Sequence, residues 1–362
     1  MDESLVQAVG EPFFKTVSPN RLGVGKVKRA LPYMTATLVL MLAMVSSLGM
    51  GPIAMSPGEI VTTLLHQTAD NRFEAVIWQL RLPRTLMAVV VGAGLAVAGS
   101  IMQGLFRNPM ADPGLTGVAP GAAVATAAAI VFGSHIFPGM EILYFLPLFA
   151  FAGGMVVTFI VYRSSIHQGR TSVIMLLLVG IAMTAICGAG TGFLVHLSNE
   201  RQIRDITFWT MGSLGGARWE TLMIMAPFVL IPLMATPWLA RALDALNLGE
   251  REAGYLGYPV ERIKRVVCLL TAVMVGGCVA VSGVIGFVGL LVPHLIRLAV
   301  GPTYQRLIPL TALGGAALLV FADLIARLVV APAELPVGIV TSFIGGPFFL
   351  GMLLRMRRSL AV

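Results

Sequence analysis

Apolar residues run through the chain in blocks separated by short polar or glycine- and proline-bearing breaks. A helix needs about 20 apolar residues to cross a bilayer. By that ruler the pattern predicts ten spans, at 31–50, 83–106, 113–134, 142–162, 171–196, 218–240, 266–283, 285–300, 307–330 and 337–354. The breaks at 108–113 and 282–286 are the shortest, so two pairs of spans nearly touch there. The predicted fold class is therefore an all-α polytopic membrane protein: an N-terminal tail over 1–30, then one membrane domain over 31–362.

Three segments between the spans have helical patterns of their own. The stretch MSPGEIVTTLL within 51–80 has a Ser-Pro-x-Glu helix start and an apolar face, which predicts a short helix lying along the membrane surface. Residues 198–216, NERQIRDITFWTMGSLGGA, predict a second surface helix ending in glycines. Residues 241–265 predict two short helices: Leu243, Leu246 and Leu248 are at helical spacing, Gly249 breaks the run, Glu250 to Leu256 form another turn or two, and Gly257 and Pro259 stop it. There is also an internal match. Residues 88–101 and 272–285 are identical at eight of 14 positions and cross in opposite directions, as in the inverted repeats of transporters. Their glycines, Gly92, Gly94 and Gly99 with Gly276, Gly277 and Gly283, suit close helix approach.

Composition excludes a water-soluble core. Of the 362 residues 57% are apolar and 12% charged, with mean hydropathy +0.88, where a soluble domain carries about 25% charge. The net charge of +8 would suggest nucleic acid in a soluble protein; here it reports orientation. With the N-terminus inside, 18 Lys and Arg fall on the inner side and seven on the outer. Both termini are then cytoplasmic, and 241–265, with nine formal charges, is an inner loop. Cys187, Cys268 and Cys278 all lie in apolar segments, so no disulfide framework or metal spacing follows. The N-terminal tail has no cleavage-site pattern before the first span and is expected to be retained.

The chain has no Gly-x-x-x-x-Gly-Lys-Ser/Thr motif, His-Glu-x-x-His motif, cysteine pair or nucleophile with its base. Enzyme chemistry is therefore not expected, and uphill transport would draw on a partner or an ion gradient. Asp323 and Arg327, four apart in the ninth span, can form an ion pair. Apart from Glu220 at the start of the sixth span, Asp323 is the only carboxylate within a predicted span, which counts against a proton-driven carrier. Asp112, before Pro113, is placed to cap a helix. Arg81, Arg84 and Arg327 depart from the charge bias by lying outside. They are either snorkelling anchors or a cationic rim for an acidic extracytoplasmic partner. His196 stands at the outer end of the fifth span.

Residues 81–122, RLPRTLMAVVVGAGLAVAGSIMQGLFRNPMADPGLTGVAPGA, resemble the signature of the FecCD/BtuC-type permeases, the membrane subunits of ABC importers for ferric siderophores, haem and cobalamin. The stretches RDITFWTMGSLGGA (204–217), LGEREAGYLG (248–257), GVIGFVGLLVPHLIRL (283–298) and ELPVGIVTSFIGGPFFLGMLLR (334–355) follow in family order. The resemblance implies ten helices per subunit in a type II importer fold and a homodimer with the pathway between its copies. It also implies two separate ATPase subunits that hold ATP and Mg, a periplasmic binding protein, and the bacterial inner membrane as location. By residue it implies that Leu248, Gly249, Glu250, Ala253, Leu256 and Gly257 form the loop that fits a groove on the ATPase. Arg81, Arg84 and Arg327 would meet glutamates of the binding protein, and Thr171 and Ser172 would lie near the cytoplasmic constriction.

The segments 169–192 and 204–217 look closest to the haem-import branch, so the expected cargo is haem, with a periplasmic haem-binding protein as partner and His196 as a possible haem contact. Ferric siderophores and cobalamin are the alternatives. The many Met and Gly residues suit a smooth, weakly selective path. No cofactor or metal is expected to be bound by the chain itself. An ion-coupled secondary transporter and a membrane scaffold are rival readings from other classes.

Overall fold

The computed structural model describes residues 21–51, 53–67, 71–136 and 142–360, so most of the expected cytoplasmic tail lies outside the described residues. Apart from one two-residue hairpin the architecture is helical: α1 (Arg21–Gly49), α2 (Pro57–Leu64), α3 (Asn71–Ala75), α4 (Leu82–Phe106), α5 (Val118–Ile136), α6 (Ile142–Ser164), α7 (Val173–His196), α8 (Glu200–Met211), α9 (Trp219–Leu248), α10 (Glu250–Tyr255), α11 (Val260–Ser282), α12 (Val288–Val300), α13 (Tyr304–Leu328) and α14 (Val337–Leu360). Strands β1 (Ile166–His167) and β2 (Arg170–Thr171) pair antiparallel ahead of α7. Among the described residues eight helical segments are long and apolar enough to cross a membrane; two shorter apolar helices, Val118–Gly133 and Val288–Val300, stand at the third and eighth expected positions. Inner and outer below follow the charge pattern.

The surface helices form as their sequences dictate. Ser56 caps α2 through a reciprocal box: its backbone N–H donates to Glu59 at 2.7 Å, and its hydroxyl accepts from the Glu59 N–H at 3.3 Å. Asn199 and Gln202 do the same for α8, which ends at Gly212. Asp112 accepts from the Gly114 N–H at 2.7 Å and caps a 3-10 turn, Pro113–Thr116.

Two elements differ from the sequence expectation. The second span is longer, because α3 continues through a π-helical stretch, Val76–Arg81, into α4. Pro83 has no N–H to give and the wider turn absorbs the mismatch; the Trp78 carbonyl instead accepts the Trp219 indole N–H at 2.7 Å. The first of the two short helices expected in 241–265 is the inner end of α9. Leu243 and Leu246 are buried in the core and so extend the span, leaving Leu248 exposed where it stops.

The centre of the fold is α4, in which 83% of the most apolar stretch is buried. A Cβ on Gly92 would collide with the Gly315 carbonyl of α13, and one on Gly99 with the Gly289 carbonyl of α12. Gly94 faces Cys278 and Val229, so α11 and α9 close in from another side. The repeated segments use their glycines differently. Gly99 lies mid-helix, whereas Gly283, at φ +65°, ends α11.

A methyl group cannot enter the α4–α13 contact without separating two backbones. Gly92→Val is therefore expected to destabilise the protein by about 1–3 kcal/mol, as overpacking does, measured by denaturant titration in bicelles. Gly58→Ala, where a Cβ meets open space, is expected to stay within about 0.5 kcal/mol.

Candidate functional site

At the inner side α9 ends where Gly249 takes φ +139°, a conformation that suits glycine, and the chain turns at once into α10. The Ala253 N–H donates to the Gly249 carbonyl at 3.0 Å, Ala253 is wholly buried, and Gly257 ends the element at φ +85°. The loop thus divides: Ala253 roots α10 in the core, while Leu248, Tyr255 and Leu256 project as an apolar group with exposures of 68%, 89% and 61%. An exposed apolar cluster on a charged inner loop suits a protein partner. Tyr255 is a member that the sequence reading did not single out, although an aromatic in so polar a loop is a signal.

Behind α10 lies a charged link. Lys264 of α11 is 3% exposed, and its Nζ donates to Glu250 at 2.6 Å, to Glu261 at 3.1 Å and to the Thr171 carbonyl at 3.0 Å. Glu261 in turn accepts the Thr171 N–H at 2.8 Å. Thr171 is buried in β2, and the Ser172 hydroxyl caps α7 by accepting from the Met175 N–H at 3.3 Å. The structure therefore brings Thr171 and Ser172 together with Glu250 through a lysine not predicted as a site residue.

At the outer side Arg81, Arg84 and Arg327 do not form an open rim. Arg84 lies between two carboxylates, at 2.8 Å from Asp323 and 2.9 Å from Glu334. Arg327 Nε is 3.1 Å from Asp323 without the alignment of a hydrogen bond, and Nη2 donates to the Ser47 hydroxyl at 2.8 Å. Ser47 is also bonded to Thr85 at 2.8 Å. Arg81 is buried and donates to the Leu48 and Ile53 carbonyls. The reason is desolvation: guanidiniums at this depth must find acceptors, and α1, the Ile53 carbonyl after it, Asp323 of α13 and Glu334 supply them. The expected Asp323–Arg327 pair is present, with Arg84 added.

His196 is exposed at the outer end of α7. Between the breaks at 112–115 and 284–286 lies a cavity of about 410 Å³ that includes Leu95, Asp112, Thr184 and Ile285 in its walls. A second cavity, of about 660 Å³, shares Thr210, Val284 and Gly286 and extends to Phe343 of α14.

Comparison with known proteins gives consistent relatives. The profile of the FecCD transport family matches residues 39–355. The chain is 44% identical over 335 residues to the hemin transport system permease protein HmuU of Yersinia pestis, covering 92% of this chain and 98% of that protein. It is 39% identical over 325 residues to the vitamin B12 import system permease protein BtuC of Escherichia coli O9:H4, covering 89% and 94%. Among solved structures it is similar to a metal-chelate type ABC transporter in an inward-facing conformation, with TM-score 0.79 and 35% identity, covering 89% of this chain and 98% of that one.

Asp323 is shared by the buried Arg327 and the part-buried Arg84, so removing it leaves Arg327 without a carboxylate and Arg84 with Glu334 alone. Asp323→Ala is expected to cost about 3–5 kcal/mol of stability, whereas Glu334→Gln, at an exposed carboxylate, is expected to cost no more than about 1 kcal/mol. Denaturant titration of both variants in bicelles tests the contrast.

Proposed function

From the premise that this chain belongs to the FecCD transport family, as the non-catalytic permease subunit of an ABC importer, we propose that its cargo is haem, carried inward across a bacterial inner membrane. What supports haem over cobalamin is the higher identity, over nearly the whole chain, to the hemin permease than to the vitamin B12 permease. Ferric-siderophore import by the same mechanism is the second reading, favoured by the likeness to the metal-chelate type transporter. His196, at the outer end of α7, is proposed as a contact for the haem iron, since a neutral imidazole is a ready iron ligand.

In this reading ATP and Mg are held by two partner ATPase subunits, which receive Leu248, Gly249, Glu250, Leu256 and Gly257 of the inner loop, while the buried Ala253 holds that loop to the core. The projecting apolar group on α10 supports that assignment. Thr171 and Ser172 form the inner gate, at the point where β2 turns into α7. A periplasmic haem-binding protein delivers cargo to the outer side. The outer cluster holds three guanidiniums, Arg81 on backbone carbonyls and Arg84 and Arg327 on Asp323 and Glu334, so it keeps an excess positive charge that favours an acidic partner. A second copy of the chain completes the path, with ten crossings from each copy and both termini cytoplasmic. On α7 the positions Gly188 and Gly192, four apart with open space beyond each, offer the small-residue face on which helices approach closely. A secondary transporter is disfavoured because Asp323 is held between two arginines and is poorly suited to carry a proton.

The test is uptake into proteoliposomes that contain this chain and its ATPase, with binding protein loaded with haem, a ferric siderophore or cobalamin. Haem is expected to accumulate with ATP while the other two stay at the ATP-free level. Accumulation of a siderophore or cobalamin without haem would overturn the cargo assignment and leave the importer mechanism standing.

A further inference from the structure

The three N–H donors of the Lys264 ammonium are all used, and on three different elements: Glu250 opens α10, Glu261 lies on α11 with Lys264, and Thr171 ends β2. The arrangement at Thr171 is tighter than one contact. Its carbonyl accepts from Lys264 while its N–H donates to Glu261 at 2.8 Å, so both polar groups of one backbone residue are clasped by one lysine–glutamate pair. Thr171 is followed directly by the Ser172 cap of α7, and the Ser172 N–H bonds back to the Ser165 carbonyl at 3.0 Å across the hairpin. A displacement of α10 therefore pulls on Glu250, through Lys264, on the backbone that sets the start of α7.

Burial makes the link stiff. The Lys264 side chain is 4% exposed, whereas Glu250 and Glu261 are 37% and 34% exposed. Water can exchange at the carboxylates but not at the ammonium. An ammonium at this depth cannot let go of its acceptors without a large desolvation cost, so they move with it. A salt bridge on an open surface would not transmit displacement in this way.

We propose that Lys264 is the positioning residue that transmits displacement of α10 to the segment at Thr171 and Ser172, and so couples ATP hydrolysis on the partner to opening at the inner end of α7. This rests on the reading of α10 as the ATPase-contacting element. Lys264 touches neither cargo nor nucleotide; it acts through the Thr171 backbone.

The experiment uses the full chain assembled with its ATPase and binding protein in proteoliposomes, measuring cargo uptake and ATP hydrolysis in the same vesicles. Lys264→Met is expected to lower cargo moved per ATP by about tenfold, within the range of a coupling free energy, while hydrolysis persists. Glu261→Gln, which keeps an acceptor for Thr171 but removes the charge pair, is expected to lower the ratio in the same direction and covers the case in which Lys264→Met does not assemble. Uptake and hydrolysis falling together at an unchanged ratio in both variants would overturn the proposal and reduce Lys264 to a structural role. Spin labels at Arg170→Cys and Arg251→Cys give a second readout, since the native Cys187, Cys268 and Cys278 are buried. In the parent chain both labels are expected to shift on ATP binding; with Lys264→Met only the label at 251 should shift. If the label at 170 still follows in Lys264→Met, the link runs elsewhere. If the label at 251 does not respond even in the parent chain, the reading of α10 itself falls, and this inference with it.

Discussion

The close approach of α4 to its neighbours is the constraint on which the rest of the structure depends. Between apolar helices in lipid there is no hydrophobic gain to be had, so association relies on contact at short range. Gly92 against Gly315 and Gly99 against Gly289 let backbones meet where any side chain would hold them apart. Polar contacts then fix the register. Gln103 on α4 donates to the Gly289 and Leu290 carbonyls, and at the inner end the Tyr304 N–H donates to Asp244 at 2.9 Å. At the outer end Arg84 and Thr85 tie α4 to α13 and α1. The result is a central post that cannot shift without breaking glycine contacts and buried ion pairs at once.

The elements outside that post are far less enclosed. In α7 only 17% of the most apolar stretch is buried, and in α14 28%. Both therefore present long apolar faces to lipid or to another chain. The two cavities open around the irregular breaks at 112–115 and 284–286, where the backbone departs from helix. Phe287 adopts φ +67°, unusual for a bulky side chain, and packs against Gly345 of α14. Irregular backbone at this depth is tolerated where protein or a cavity surrounds it. A closely packed centre, exposed outer helices and one buried lysine that joins α10 to the start of α7 are the geometry on which the proposed coupling rests.

Much of this was legible in the sequence, and what was not has a common cause. Signals within one element were reliable: the apolar blocks, the Ser56–Glu59 box, the Asp112 cap and the Asp323–Arg327 pair all depend on residues a few positions apart. What the pattern could not carry was pairing at long range. Arg84 meets Asp323 across 239 positions and Lys264 meets Thr171 across 93, so burial of those cations is decided by partners that no local window contains. That Arg81, Arg84 and Arg327 find acceptors within the chain was not legible for that reason. The inner end of α9 was misread because a leucine-spaced run between charges looks the same whether it lies on the surface or extends a span. The π-helical stretch before Pro83 left only the proline as a hint.

The central claim, that force comes from ATP on a partner and not from an ion gradient, is tested most directly by the energy source of uptake. Proteoliposomes carrying the assembled importer would be given either internal ATP with a protonophore or an imposed proton gradient without ATP. The account predicts full uptake in the first case and none in the second. Uptake that follows the gradient, and collapses with the protonophore in the presence of ATP, would contradict it.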